Sequence, residues 1–500
     1  MTSTAARVDL TLISHTNAGK TTLARTLLRK DVGEVGDRAH VTDLAESHVL
    51  IESPEGDSLV LWDTPGFGDS ARLFKRLQKA DQPVGWFLSQ VWDRFADRPF
   101  WCGQQAMRNV RDASDVILYV ANASEQPSTA AYLDIEMQFL EWLGKPVILL
   151  LNQLGAPREE AHLRTEVKEW ELQAARHPCV RAVLPLDAFA RCWVQEGTLL
   201  GHVQRVLCAG KQAPFERLRE AWQQRNLRVF EHSMQVLARQ IAVLATDSEP
   251  IVDLDVRHKA RAWIGALTGG EERGTAELRR AQTALAARLD EQVRAATEDL
   301  VRLHGLSGKA TREVLQGLGP QFSVRRPADA DKASVLGGLV SGALGGLAAD
   351  LGAGGLTFGA GALIGGVLGA FGARGLTKAY NVARGELDGM VRWSSEFLES
   401  RTAAALMRYL VVAHFGRGRG DFVTGLAPAH WQETVNEAVQ GRLVELQPIW
   451  ANARTMAADH ATTASSAALL PIVAASAREV LGRLYRDTMP AGEASQWRDA

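Results

Sequence analysis

A short run of small and polar residues near the start of the chain has the composition of a phosphate-binding loop. Residues 14–21, SHTNAGKT, follow an apolar run at 8–13 and open a segment that is typical of a helix. Backbone N–H groups at a helix N-terminus bind phosphate oxygens, and a lysine at the end of such a loop bridges β- and γ-phosphates. We therefore expect Lys20 to contact nucleotide phosphates and Thr21 to bind Mg²⁺. The predicted binding residues of this loop are Ser14, Asn17, Ala18, Gly19, Lys20, Thr21 and Thr22.

A second motif, DTPG at 63–66, ends the next well-defined apolar run. An aspartate in this position holds Mg²⁺ through water, and the amide of the glycine contacts the γ-phosphate. Between the two motifs, Thr42 is the candidate for a loop threonine that closes on Mg²⁺ when the γ-phosphate is present. The alternatives are that DTPG is a plain turn and Thr42 a plain loop residue. The predicted catalytic residues are Lys20, Thr42, Asp63 and Gly66, and the predicted metal ligands are Thr21, Thr42 and Asp63.

The elements around these motifs predict an α/β fold with a mostly parallel sheet. The apolar runs 48–52 and 59–62 flank turn residues at 54–57, which predicts a hairpin. Residues 116–120 and 147–151 are continuously apolar, as expected of strands that are buried on both faces. Strand and helix patterns alternate to about residue 225, which is the order of a parallel α/β domain.

Three segments together carry a family resemblance. TNAGKTTL, WDTPGFGD and DVILYVANAS resemble the Era/TrmE-like branch of bacterial P-loop GTPases over residues 6–200. The whole chain is similar to an uncharacterised bacterial family that joins such a domain to a C-terminal region of unknown function. The resemblance implies that the protein binds GTP and Mg²⁺, hydrolyses GTP slowly to GDP and phosphate, and switches between two conformations.

The chain departs from this family where the guanine base is read. The family motif NKxD reads Asn152-Gln153-Leu154-Gly155 here, so glycine replaces the aspartate that accepts hydrogen bonds from guanine. A site that makes such a pair of hydrogen bonds to its ligand rejects ligands that lack the bonding groups by about 10⁴ or more. Without this aspartate, the preference for guanine has to come from other residues. The family's SA motif reads Leu186-Asp187-Ala188, and Asp187 either supplies the missing carboxylate or is a surface residue of a loop. The predicted base-side residues are Asn152, Gln153, Asp187 and Ala188.

Two further departures and one match concern phosphate and turnover. Ser14 replaces the first glycine of the loop pattern, which is unfavourable if φ is positive there. Phe67 stands where Ras-like enzymes have a water-orienting glutamine, so slow turnover is expected unless a second molecule or an ion helps. Asn17 matches the asparagine that helps to hold K⁺ in TrmE-like members, so the resemblance adds K⁺ to the expected cofactors. A homodimer is among the expected partners.

An aromatic-rich insertion at about 70–112 follows the second motif. Leu88, Val91, Trp92 and Phe95 fall on one face of a helix. We interpret this face as a packing surface, and the alternative is a relay that responds to the γ-phosphate.

Beyond residue 225 the pattern becomes helical. Apolar residues at spacings of three and four over 227–244 and 289–303 predict two long helices. The predicted domains are a P-loop GTPase domain at 1–225, a helical domain at 226–325, a glycine-rich hairpin within 326–380 and a helical region at 381–500.

The glycine-rich hairpin contains two uncharged stretches, 333–349 and 351–373. The second is long enough to cross a bilayer and carries glycines at four-residue spacing, which allows close helix packing. We favour a hairpin that enters or spans the membrane. The alternatives are a Gly/Ala hairpin packed against the helical domain and a flexible linker.

Composition limits the function classes. The net charge is −2, which argues against a globally basic nucleic-acid binder. Four dispersed cysteines argue against a disulfide scaffold or a zinc site, and no signal peptide is evident. We expect a cytoplasmic, slowly hydrolysing GTP switch that is peripheral to the inner membrane or inserted into it by the hairpin, with lipid or a membrane protein as a partner. The alternatives are an Era-like ribosome or RNA assembly factor, and a nucleotide-binding scaffold with little turnover.

Overall fold

The computed structural model describes residues 5–28, 46–67, 85, 88–89, 98–155, 160–188, 192–250, 272–306, 380–382, 390–414, 428–456 and 458–485. These residues form two compact units: the first holds the described residues within 1–229, 413–428 and 481–500, and the second holds those within 230–412 and 429–480. Thr42, most of the aromatic insertion and the glycine-rich hairpin lie outside the described residues, so their predictions stay predictions.

The first unit is built around a six-stranded sheet. Its strands are β1 (Arg7–Ser14), β2 (Glu46–Glu52), β3 (Ser58–Asp63), β4 (Val116–Asn122), β5 (Val147–Asn152) and β6 (Val180–Pro185). Their order is β2-β3-β1-β4-β5-β6, and only β2 is antiparallel to its neighbour. The mostly parallel α/β fold and the β2–β3 hairpin are therefore confirmed.

Helices and one 3-10 turn connect these strands. They are α1 (Lys20–Leu28), α2 (Arg98–Asp112), a 3-10 turn (Pro127–Thr129), α3 (Ala131–Leu143), α4 (Glu160–Ala174) and α5 (Trp193–Val206). All six residues of β5 are buried, as its continuous apolar sequence predicts for a central strand. Because neighbouring parallel strands end at the same sheet edge, Ser14, Asp63 and Asn152 come together there.

The second unit is mainly helical. Helix α6 (Ala209–Thr246) begins in the first unit and ends in the second, and α7 (Glu272–Leu303), α8 (Ser395–His414), α9 (Ala429–Gln440), α10 (Leu443–Ala453) and α11 (Ala458–Leu484) follow. Phe230, Met234 and Leu237 are buried along α6, which confirms one of the two predicted helices, and α7 confirms the other.

A small antiparallel sheet in the second unit was not predicted. It consists of β7 (Ser248–Pro250), β8 (Tyr380–Val382) and β9 (Met390–Trp393), in the order β7-β9-β8. Each strand has three or four residues, which is too short for a period of two to stand out in the sequence.

Candidate functional site

The two predicted phosphate motifs meet in a buried ion pair. Lys20 begins α1 and Asp63 ends β3, and the Lys20 Nζ lies 2.8 Å from the Asp63 Oδ1. Both side chains are almost fully buried. The pair brings together, at the N-terminus of a helix where backbone N–H groups favour anions, the cation that is predicted to contact phosphate and the carboxylate that is predicted to bind Mg²⁺.

The backbone of the loop has the conformation that this site needs. Among described residues other than glycine, positive φ angles occur at Asn17 (66°) and Gln153 (60°). Ser14 is not one of them, since it is the last residue of β1, so the replaced glycine causes no backbone strain. The Asn17 side chain is exposed at this turn.

Gly19 is required where it stands. Its φ is 82°, and a Cβ there would lie 2.5 Å from the Asn152 Nδ2. Both the backbone conformation and the contact are unfavourable for any side chain. The loop can therefore approach Asn152 closely only because the residue is glycine.

The DTPG motif is joined to the loop through its backbone. The Phe67 N–H donates to the Ser14 carbonyl at 2.9 Å, and a Cβ at Gly66 would lie 3.4 Å from the Ser14 carbonyl oxygen and 3.5 Å from the Thr16 Cα. The Phe67 side chain is fully buried and packs against Phe139, with ring centroids 5.8 Å apart. It points into the core of the sheet and offers no polar group for orienting water.

Asn152 ties three loops together. Its Nδ2 donates to the Ala18 carbonyl and its Oδ1 accepts from the Ala188 N–H, both at 2.8 Å, and the side chain is fully buried. Next to it, the Gln153 Nε2 donates to the Asn17 carbonyl at 3.1 Å. The predicted base-side residues therefore hold the phosphate loop as well.

Asp187 is buried and holds the loop after β5. Its Oδ2 accepts from the Leu154 N–H at 2.7 Å, and the residue is 4% exposed. The interpretation of Asp187 as a surface residue is wrong, because its carboxylate satisfies a backbone donor beside Gly155. Gly155 has a φ of 81° and open space around the position of a Cβ.

The described residues offer oxygen donors suited to Mg²⁺. Thr21 follows Lys20 at the start of α1, and Asp63 lies beside Lys20. Mg²⁺ prefers such hydroxyl and carboxylate oxygens and is usually held by one or two protein groups together with substrate phosphates. Within the described part of the chain, no three His, Cys, Asp or Glu side chains cluster as a metal site of their own. Thr42, the third predicted ligand, lies outside the described residues.

One group at the loop was missed by the sequence reasoning. His15 follows Ser14, and its Nδ1 lies 2.6 Å from the Oε1 of Glu136, a fully buried residue of α3. The Tyr119 hydroxyl donates to the other Glu136 oxygen at 2.7 Å. The His15 ring stacks on Tyr132, with centroids 4.2 Å apart.

A signal for this group is present in the sequence. Leu133, Met137 and Leu140 form the buried face of α3, and Glu136 falls on the same face. A carboxylate among such apolar positions indicates a buried acid that needs a hydrogen-bonding partner.

Two family models match the chain. Residues 9–153 match a family described as 50S ribosome-binding GTPase. Residues 175–470, more than half of the chain, match a family described as domain of unknown function DUF3482. The chain belongs to the DUF3482 family. Its N-terminal domain is a P-loop GTPase domain, as the resemblance implied, and the DUF3482 region begins at the end of α4, within the first unit.

Several solved GTPase structures are similar to part of the chain. A variant of Era from Aquifex aeolicus bound to GDP·AlF4⁻ is 18% identical, with a TM-score of 0.30, over 41% of this chain and 57% of its own. Era bound to MgGDPNP and a 16S ribosomal RNA segment is 19% identical, with a TM-score of 0.28, over 37% and 52%. A probable GTP-binding protein EngB is 19% identical, with a TM-score of 0.20, over 36% and 89%.

The chain spans about half the length of the two Era chains that it matches. None of the curated proteins matches the chain. The GTPase domain of this DUF3482 member is therefore assigned by its family model and by the site described above.

Proposed function

We propose that the protein binds GTP with Mg²⁺ and hydrolyses it slowly to GDP and phosphate, acting as a two-state switch. The buried Lys20–Asp63 contact at the start of α1 carries this proposal, because it joins a phosphate-binding cation to a Mg²⁺-binding carboxylate. Lys20 would bind the β- and γ-phosphates and Thr21 and Asp63 would hold Mg²⁺, which neutralises phosphate charge when bound. Asn152 would contact the base.

The burial of Phe67 supports slow turnover. Hydrolysis adds water to the γ-phosphorus and breaks its bond to the β–γ bridging oxygen, which leaves with GDP. An attacking water is usually oriented by a polar side chain after DTPG. Phe67 is fully buried and offers none, so we propose that the basal rate is low and that a second molecule, a second copy of the chain or K⁺ at Asn17 raises it.

Nucleotide titration of the full chain tests the assignment. Fluorescent analogues of GTP, ATP and XTP are compared on wild type, Lys20→Ala and Lys211→Ala. Lys211 is a matched control, because its Nζ also pairs with a carboxylate, Asp115, at 2.6 Å, but just before β4, at the opposite sheet edge. We expect selective GTP binding that is weakened about 100-fold or more by Lys20→Ala and unchanged by Lys211→Ala.

The other outcomes are informative. Equal affinity for ATP would contradict the guanine assignment, and absence of binding would contradict the proposal as a whole. Because Lys20→Ala leaves Asp63 buried without its cation, thermal unfolding and the double variant Lys20→Ala/Asp63→Asn separate lost binding from lost folding. Phosphate release with K⁺ or Na⁺ tests the contribution of the ion, and tight binding without any release would favour the scaffold alternative.

We propose further that the switch works at the cytoplasmic face of the inner membrane. The uncharged stretches within 326–380 support this. Among the described helices, His460–Leu484 is long and apolar enough to cross a bilayer, with a mean hydropathy of 1.3, but buried helices of other proteins meet the same criterion. The test is flotation of the full chain with liposomes, and we expect the protein to float with them.

The description of the matched GTPase family favours one competing function, ribosome binding. It predicts co-sedimentation with ribosomal particles and no flotation. The net charge of −2 counts against this competing function, because phosphate-rich RNA is usually bound by basic surfaces.

A further inference from the structure

We propose that Arg408 is the centre of a second anion site, which binds a phosphate group in the DUF3482 region. The phosphate group would neutralise a buried guanidinium charge for which the described residues provide no carboxylate. The inference does not depend on the proposed nucleotide site, because Arg408 belongs to the second unit and Lys20 and Asp63 belong to the first.

Arg408 lies in the most buried part of α8. Every residue from Thr402 to Val412 is buried, and apart from Thr402, Arg408 and Tyr409 these residues are apolar. Arg408 itself is 5% exposed. Removing a guanidinium from water is costly unless an anion and further hydrogen bonds compensate for the lost hydration. A charge at this position therefore calls for an anionic partner.

The described residues give Arg408 one hydrogen-bond acceptor and no anion. Its Nη2 donates to the Oε1 of Gln240 on α6, and its Nε is buried without a hydrogen-bond partner. No carboxylate of the described residues pairs with the guanidinium or shifts its pKa. Gln240 is also 5% exposed, so neither member of the pair is completely shielded from solvent.

A second positive charge adds to that of Arg408. Arg401 is seven positions earlier, which is two turns of α8 and therefore the same face of the helix. The Arg401 Cζ lies 5.1 Å from the centroid of the Phe397 ring. Burial and repulsion by Arg401 lower the pKa of Arg408 to about 9, so Arg408 remains charged at neutral pH. The neighbouring charge makes this part of α8 more attractive to an anion.

The donors and the charge suit a phosphate group. The Nε–H and one Nη–H of an arginine lie on one edge of the planar guanidinium and bind two oxygens of the same anion. The amide of Gln240 accepts from Arg408 through its oxygen and has two N–H donors of its own. A phosphate monoester carries a charge of about −1.5 to −2 at pH 7, so it can offset the repulsion by Arg401 as well as the charge of Arg408. A single carboxylate carries too little charge for both.

Hydrogen exchange of the full chain tests this site. Exchange is measured in peptides of α8 and of residues 230–246, with inorganic phosphate or with acetate at the same ionic strength. The measurement is repeated on Lys20→Ala, so that phosphate bound at the proposed nucleotide site does not contribute. At a phosphate concentration of about ten times its dissociation constant, we expect exchange in these peptides to slow about tenfold. Acetate should have no such effect.

Two variants show whether Arg408 is responsible. Arg408→Met/Gln240→Leu removes the charge and its acceptor but keeps side chains of similar size, and it should abolish the effect of phosphate. Arg294→Met is the matched control, because it removes one positive charge from the same unit, where Arg294 pairs with Asp290 at 3.2 Å on α7. This control should keep the full effect. If the double variant does not fold, Arg408→Lys replaces it, and we expect most of the effect to be lost because lysine lacks the paired donors.

Vesicles distinguish the two sources of a phosphate group. Phosphatidylcholine vesicles with and without phosphatidic acid are compared with inorganic phosphate on the same peptides. Slower exchange with phosphatidic acid than with an equal concentration of inorganic phosphate would identify a lipid headgroup, and slowing by inorganic phosphate alone would identify a free phosphate.

Four results would overturn the inference: no slowing by either source, equal slowing by acetate, the same slowing in Arg408→Met/Gln240→Leu, or loss of the effect in Arg294→Met. Failure of the chain to bind GTP would refute the proposed function and leave these measurements unchanged, since they are made without nucleotide.

Discussion

Replacing Asn152 by alanine should destabilise the nucleotide-binding edge of the sheet. The side chain is fully buried and makes two hydrogen bonds of 2.8 Å, one to the Ala18 carbonyl and one from the Ala188 N–H. Truncation leaves both backbone groups buried without their partner. Each such group costs about 1–3 kcal/mol, so we expect a loss of ~2–6 kcal/mol in the local free energy of opening.

Peptide-resolved hydrogen exchange is the suitable assay, because it reports opening free energies region by region in a chain with two units. Exchange should accelerate in the peptides that contain residues 14–20, 147–155 and 180–188. GTP affinity should fall as well, since the substitution also releases the loop that holds Lys20.

Asn122 is a control at the equivalent place on the next strand. It lies opposite Asn152 in the β4–β5 register, but its hydrogen bonds to Ser124 and Glu125 are exposed. Asn122→Ala should therefore cost less than about 1 kcal/mol. Equal effects of the two substitutions would refute the view that Asn152 is the hydrogen-bonded centre of this edge.

Three other variants have expected outcomes. Gly19→Ala should abolish GTP binding in titration, because its φ of 82° and the neighbouring side chain exclude a Cβ. Arg408 is buried, its pKa is lowered by burial, and among the described residues it donates to Gln240, so Arg408→Met/Gln240→Leu should raise the urea midpoint. The hydrogen bond from Arg217 lowers the pKa of Asp57, so the pair stabilises the folded protein above the ordinary Asp pKa, and this stabilisation is lost as pH falls through the lowered pKa. Arg217→Met should therefore weaken the loss of unfolding free energy at acid pH, as measured by unfolding curves recorded across that pH range.

Local sequence was sufficient for the sheet and for the meeting of the two predicted motifs at one sheet edge. Continuous apolar runs located β4 and β5 because those strands are buried on both faces. Lys20 and Asp63 lie in contact because the loop before Lys20 follows the end of β1 and Asp63 ends β3, and neighbouring parallel strands bring such ends to one edge.

The rest depended on contacts between distant residues. Glu136 is 121 positions from His15, and only the packing of α3 against the loop makes them partners. Asp187 looked like an exposed loop acid because its hydrogen bond is to a backbone N–H, which leaves no trace in residue types. The strands β7 to β9 were too short to show a pattern.

The order of the strands also has a consequence during synthesis. β1 is made first but is central in the sheet, with β3 on one side and β4 on the other. β1 can pair with a strand on both of its edges only after Asn122, the last residue of β4, has left the ribosome. At ~5–20 residues per second, β1 remains without one neighbour for about 5–20 s. A nascent chain of this protein therefore exposes an aggregation-prone strand for seconds and is expected to depend on chaperones that bind extended apolar segments.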